Sequence, residues 1–253
     1  LLRLASCTSM AGGPEPQAGP VTLDRSVVKP YQNAYAYKWI NYLMYIPPEY
    51  PESEKEYPLI LYFHGAGQKG SDPQALTQVS LNNQLENSKK ENFPYIVVSP
   101  QLPGPEGFEW PYSMDRGTWY PDSFYPAVME MVDHIIRSYA VDPSRIYVHG
   151  TSMGGTATWK MAMYYPDRFA AAAPCAGEAN PEDAALLKDV PLWVFHAEGD
   201  EIMPVANSDA MVEAVREAGG EVTYVRPDGG NHQSAWANEF PELYKWFLNY
   251  TLD

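Results

Sequence analysis

Cysteine is scarce: Cys7 and Cys175 are the only two among 253 residues. Two thiols do not make a disulfide framework, and neither stands in a C-x-x-C pair or a Cys/His cluster at zinc spacing. Cys175 closes the run "RFAAAAPC" and reads as a small buried apolar residue. Basic charge is also short, with 17 Lys and Arg against 32 Asp and Glu, a net charge of −15. Lys89-Lys90 is the only adjacent pair of cations, so the footprint that a phosphate backbone requires is missing and nucleic acid is not an expected partner. The same charge disfavours adsorption on anionic lipid. Long apolar runs are absent as well. No stretch approaches the roughly 18 residues that a membrane-crossing helix needs.

What is present is enough chain for a large core. A single domain of this size buries roughly three quarters of its unfolded surface without staples, and no composition break marks a linker. Short β-type runs alternate with helical patterns, as expected for a mostly parallel sheet covered on both faces. The runs are 37–47, 57–65, 94–100, 145–150, 169–175, 191–197 and 221–227, and the middle ones are nearly continuous apolar stretches. A helix is expected over 122–139, capped by Asp122 or Ser123, with Val128, Val132, Ile135, Ile136 and Tyr139 inward. Another spans 204–218, opening on Pro204 and stopping at Gly219-Gly220, and a last one starts near Pro241 with Leu243, Trp246, Phe247 and Tyr250 inward. Segments 66–93 and 101–121 are long excursions punctuated by Pro and Gly.

The stretch "VHGTSMGGTATW" (148–159) places Ser152 between a buried strand and a helical repeat at Met153, Ala157, Met161 and Tyr164. Strand, sharp turn and helix are the setting in which G-x-S-x-G presents a nucleophile. A serine hydroxyl is a poor nucleophile unaided, so a histidine base and an orienting carboxylate must follow, ideally in the chain order Ser, acid, His. Asp200 lies just past the strand in "VFHAEGDEIMPVANS", with Glu198 and Glu201 as rivals. His232 lies in "RPDGGNHQSAW", after the last strand. Of the other histidines, His64, His149 and His196 close strands and His134 sits on a helix. Asp228 reads as a turn former. An oxyanion hole would draw one N–H from Met153 and a second from the loop "HGAG" at Ala66, with Gly65 or Gly67 open as alternatives.

With these residues in view the chain resembles α/β-hydrolases, and among them bacterial esterases related to feruloyl esterases, polyhydroxybutyrate depolymerases and so-called predicted peptidases. The resemblance rests on "HGAGQKGSD" (64–72), "SPQLP" (99–103) with Trp110, "RIYVHGTSMGGTATW" (145–159), "FAAAAPCAG" (169–177), "PLWVFHAEGDEIMPVANS" (191–208) and "GGNHQSAW" (229–236). It implies an α/β-hydrolase fold, a Ser152–Asp200–His232 triad and hydrolysis through an acyl-enzyme without a cofactor or metal. Gln101, Trp110 and Trp119 are candidate substrate contacts; with Tyr112 and Tyr120, the two tryptophans could wall an aryl acyl group, stack on a sugar, or simply pin a long loop. The expected partner is a small-molecule or oligosaccharide ester, with short or aromatic acyl esters of plant polysaccharide as the hypothesis. A serine peptidase of the prolyl oligopeptidase-like type, an inactive carbohydrate-binding module and a metallohydrolase using His196, Asp200 and His232 are the rivals.

The first residues, "LLRLASC", are similar to the tail of a bacterial lipoprotein signal. That would make Cys7 a lipid anchor on a Gly/Pro-rich tether, the alternative for residues 1–20 being an ordinary disordered leader; 21–253 is expected as a single catalytic domain, and the protein as exported, to the periplasm, the cell surface or the medium. Membrane contact is expected through that anchor alone.

Overall fold

The computed structural model describes residues 33–37, 40–50, 55–70, 72–78, 80–87, 93–102, 124–234 and 242–253. Cys7, the 1–20 leader, Lys89-Lys90, the aromatic segment with Trp110, Tyr112, Trp119 and Tyr120, the cap candidates Asp122 and Ser123, and Pro241 lie outside them.

The continuous apolar run at β3 (Tyr57–Phe63) is buried at every position, as a strand with both faces covered must be. It lies inside an eight-stranded sheet with β1 (Asn33–Tyr37), β2 (Ile40–Tyr45), β4 (Ile96–Pro100), β5 (Val141–Thr151), β6 (Ala171–Cys175), β7 (Leu192–Phe195) and β8 (Val222–Val225). The order across the sheet is β1-β2-β4-β3-β5-β6-β7-β8. β2 runs antiparallel to β1 and β4, and all other pairings are parallel.

Alternation along each strand sorts side chains into two cores. Leu59, Leu61 and Phe63 pack with α2 (Phe124–Ser138), α3 (Met153–Tyr164) and α4 (Val205–Glu217). Ile60 and Tyr62 pack with α1 (Ser80–Asn87) and α5 (Glu242–Phe247) on the opposite face. Each fully buried Leu, Ile or Phe contributes about 1.5–3 kcal/mol relative to exposure.

Most expected elements form, with shifted ends. Val128, Val132 and Ile135 of α2 are fully buried, while Ile136 and Tyr139 are partly buried against the same core. The run expected over 37–47 narrows to β2, and a strand not expected from the sequence, β1, precedes it and pairs back antiparallel, Tyr37 opposite Ile40. Helix α1 falls inside the 66–93 excursion. Its eight residues carry just two apolar positions, Leu81 and Leu85, too few to reveal a stripe in the sequence. The last helix is shorter than expected: it ends at Phe247, and turns closed by Asn249 and Tyr250 N–H groups follow, leaving Trp246 and Tyr250 half-buried.

The start of α3 is jammed between strands. A Cβ at Gly154 would lie 2.0 Å from the Phe63 carbonyl oxygen, and one at Gly155 2.2 Å from that of Cys175. No flexible side chain is there to give way, so the backbone itself would have to move. Gly154→Ala is expected to destabilise the fold by at least about 2 kcal/mol in urea unfolding. Gly67→Ala, with nothing within 4 Å, should change stability by less than about 0.5 kcal/mol; equal losses in the two variants would refute the packing argument.

Candidate active site

The same close approach dictates the backbone at Ser152. Ser152 donates its N–H to the Cys175 carbonyl at 2.8 Å and takes φ 60° and ψ −122° between β5 and α3. A non-glycine residue held there stores roughly 1–3 kcal/mol of strain, which persists only when the surroundings over-determine it. The result is a side chain standing clear of both elements at the carboxyl edge of the sheet.

Two loops from neighbouring strands reach that edge. The segment after β7 and the segment after β8 are zipped by backbone bonds: Glu198 N–H to Pro227 O at 3.1 Å and Gly199 N–H to Gly229 O at 3.1 Å. Gly229 and Gly230 then turn the chain through φ 70° and 75°, a region glycine enters freely, which sends His232 back over the serine. His232 Nε2 lies 2.8 Å from Ser152 Oγ, and Nδ1 lies 2.7 Å from Asp200 Oδ2. A carboxylate only accepts, so Nδ1 carries the proton and Nε2 accepts from the hydroxyl. The imidazole and the carboxylate are both nearly buried.

Asp200 is held at four points. Its Oδ1 accepts N–H groups from Ile202 at 2.9 Å and Met203 at 2.8 Å. Its Oδ2 faces His232 and also His196 Nε2, 3.3 Å away. His196 donates from Nε2 to Met203 O at 2.8 Å and accepts at Nδ1 from Ser208 Oγ at 2.7 Å. Burial lowers its pKa and keeps it neutral. The rival carboxylates are engaged elsewhere: Glu198 pairs with Arg226 at 3.3 Å, and Glu201 accepts the backbone N–H of His232, not its ring, at 3.4 Å. Asp228 is exposed. His196, Asp200 and His232 do converge, but the histidines present donors to one carboxylate oxygen, and no metal-ligating cluster of three exists among the described residues.

Met153 is the first residue of α3, and Ala66 is the first residue of a 3-10 turn, Ala66–Gln68. First-turn N–H groups have no partner within their own helix. The Ala66 loop approaches the serine closely enough that a Cβ on Gly65 would lie 3.7 Å from Ser152 Cβ. His64 sets its direction. Nε2 accepts from Leu102 N–H at 3.0 Å, so the proton sits on Nδ1 and is donated to Gly65 O at 2.5 Å. In a trans peptide the Ala66 N–H points opposite to that carbonyl.

Gln101, expected among the substrate contacts, is 1% exposed. Its Nε2 donates to Gln68 O and Asp72 O, both at 2.9 Å, beneath the same loop. The side chain therefore faces protein, and its Oε1 has no hydrogen-bond partner among the described residues. His149 is also structural, donating Nδ1–H to Ala173 O at 2.7 Å. The brace made by His64 and Gln101 and the support from His196 were missed in the sequence. The one available signal was polar side chains at the ends of apolar strands.

With this geometry, the comparisons carry specific weight. The family model "Esterase: Putative esterase" matches residues 37–246. The chain belongs to this esterase family. It is 35% identical over 125 residues to poly(3-hydroxyalkanoate) depolymerase C of Paucimonas lemoignei, covering 47% of this chain and 28% of that protein. It is 33% identical over 125 residues to feruloyl esterase B of Neurospora crassa, covering 48% and 39%. The chain thus spans well under half the length of these relatives. A solved thermostable esterase superposes with a TM-score of 0.71 at 27% identity, over 88% of this chain and 63% of that one. The fold is that of the α/β-hydrolases.

Burial lowers the pKa of His64 from 6.5 to about 4, and that of His196 in the same direction. The folded state therefore prefers neutral imidazoles, while the unfolded chain binds protons below about pH 6.5. Stability is full above that pH and declines as pH falls toward 4, by about 3 kcal/mol for His64. Urea unfolding at pH 7 and pH 4.5 should show the decline, and His64→Gln, though weaker at pH 7, should lose less on acidification. An identical loss in the two proteins would contradict this.

Proposed function

We propose that this chain is a serine carboxylic ester hydrolase acting through an acyl-enzyme. Ser152 is the nucleophile, His232 the general base and acid, and Asp200 the group that orients and charges the imidazole. Met153 and Ala66 N–H groups hold the developing oxyanion. The observation that carries the reading is the unbroken line from Asp200 Oδ2 to His232, 2.7 Å, and from His232 to Ser152 Oγ, 2.8 Å.

In the first half-reaction His232 Nε2 takes the hydroxyl proton as Oγ bonds to the ester carbonyl carbon. The carbonyl electron pair moves to oxygen, where two N–H groups receive it. Collapse breaks the bond to the alcohol, which leaves with the proton from His232. Water then gives a proton to His232 as its oxygen bonds to the acyl carbon; collapse breaks the bond to Oγ, which takes that proton back from His232, and the acid is released. Asp200 stabilises the imidazolium in both halves. The strained backbone of Ser152 supports the reading, because such outliers concentrate at functional sites.

For substrate, the proposal is a short or aromatic, feruloyl-type acyl ester of plant polysaccharide. Its support is the esterase family and the named relatives. Trp110 and Trp119 are retained as contacts to the acyl or sugar portion. The same reading takes 21–253 as one catalytic unit and the protein as exported, held to a membrane by lipid at Cys7.

Ser152→Ala and His232→Ala should each lower kcat on p-nitrophenyl acetate and methyl ferulate by roughly 10⁴-fold or more, and Asp200→Asn by roughly 10⁴-fold. A fluorophosphonate should label the wild type and not Ser152→Ala. Wild-type turnover by Ser152→Ala would end the proposal, an unlabelled wild type would favour a binding module, and faster turnover of a peptide amide than of either ester would favour a peptidase.

A further inference from the structure

The loop after β3 is held only in part by its own hydrogen bonds, the His64 bond to Gly65 O among them. Within it, Gln68 N–H reaches Gly65 O at 3.4 Å, and Asp72 makes a local turn with Gln74 and Ala75. Among the described residues, the hydrogen bonds that tie residues 65–72 to the rest of the fold come from the two residues that follow β4. Gln101 Nε2 donates to Gln68 O and to Asp72 O, and Gly70 N–H donates to Leu102 O at 2.9 Å. Gln101 is itself anchored, its backbone N–H donating to Asn41 O of β2 at 2.7 Å.

The orientation of the Gln101 amide admits one reading. Both neighbours are carbonyl oxygens, so the nitrogen must face them; reversed, three acceptors would meet. The consequence is a buried Oε1 that no described residue reaches as donor. A residue selected for packing alone gains nothing from that arrangement, whereas one that must hold two carbonyls at a set height does.

We infer that Gln101 is a positioning residue of the oxyanion hole, working beside His64: through the Gln68 and Asp72 carbonyls it sets the height of the loop after β3, so that Ala66 N–H faces the carbonyl oxygen of a substrate on Ser152. This rests on the proposed role of Ala66 and adds a residue that places it. Gln101 touches no reacting atom. Its effect is confined to the transition state, because the charge that Ala66 N–H receives develops only there.

The test is Gln101→Leu, with Gln101→Met as a second variant of near-equal volume, assayed on p-nitrophenyl acetate well below the melting temperature. The expected result is a kcat lower by roughly 10- to 100-fold, since a small misplacement of a catalytic group has effects of that order. KM should stay within about threefold, as lost transition-state contacts do not weaken ground-state binding. Inhibition by phenylboronic acid, whose tetrahedral adduct loads the same N–H groups, should weaken in step with kcat. Amide exchange should speed up in the 65–72 segment and not across the core. Wild-type kcat in a folded variant, or kcat and KM changing together with normal boronate inhibition, would overturn the inference. Failure of both variants to fold would also overturn it, in favour of a purely structural brace. Ser152→Ala, assayed alongside, separates the two levels: if it is inactive while Gln101→Leu is normal, only the positioning role fails.

Discussion

The contact on which the rest depends is the approach of the α3 N-terminus to the backbones of β3 and β6. Gly154 and Gly155 lie against the carbonyls of Phe63 and Cys175 with no space for a side chain, and Ser152 N–H is tied to that same Cys175 carbonyl. Three strands and a helix thereby converge within one turn of chain. The serine between them has no relaxed backbone conformation to adopt, and its φ of 60° follows from packing, not from its own preference. Hydrophobic burial on both faces of the sheet supplies the force that keeps the contact closed.

From that point outward the site is assembled by loops that hold each other. The segments after β7 and β8 share backbone bonds at Glu198 and Gly199, so the carboxylate and the imidazole move as one unit. His196 supports the carboxylate from below, its Nε2–H between Met203 O and Asp200 Oδ2. The segments after β3 and β4 form a second unit through His64, Gln101 and Leu102. Each unit orders a loop before any ligand arrives, and preorganised donors and acceptors are what electrostatic stabilisation of a transition state requires.

The legibility of these features varied with how local their causes are. The glycines around Ser152 and the buried runs on either side could be read directly, because strand, turn and helix are consecutive in the chain. Helix α2 was readable from its stripe of Val128, Val132 and Ile135. Helix α1 was not, because Leu81 and Leu85 alone do not define a face. Strand β1 was not, because Asn33–Tyr37 is too short and too weakly apolar to be marked as a strand before it pairs with β2. Gln101 was misjudged as a substrate contact because a glutamine after a strand looks the same whether it faces solvent or supports a neighbouring loop.

By itself the sequence determined the residue types, their order and the elements that carry them: a serine in a tight strand-to-helix turn, carboxylates after one strand and a histidine after the next. Only the tertiary structure decided which carboxylate meets the imidazole, which way each histidine is protonated and what supports the loop beside the serine. The physical reason is distance along the chain. Asp200 and His232 are separated by 32 positions, and Ser152 and His232 by 80, so their contacts depend on sheet order and loop-to-loop hydrogen bonds that no local pattern of residues encodes.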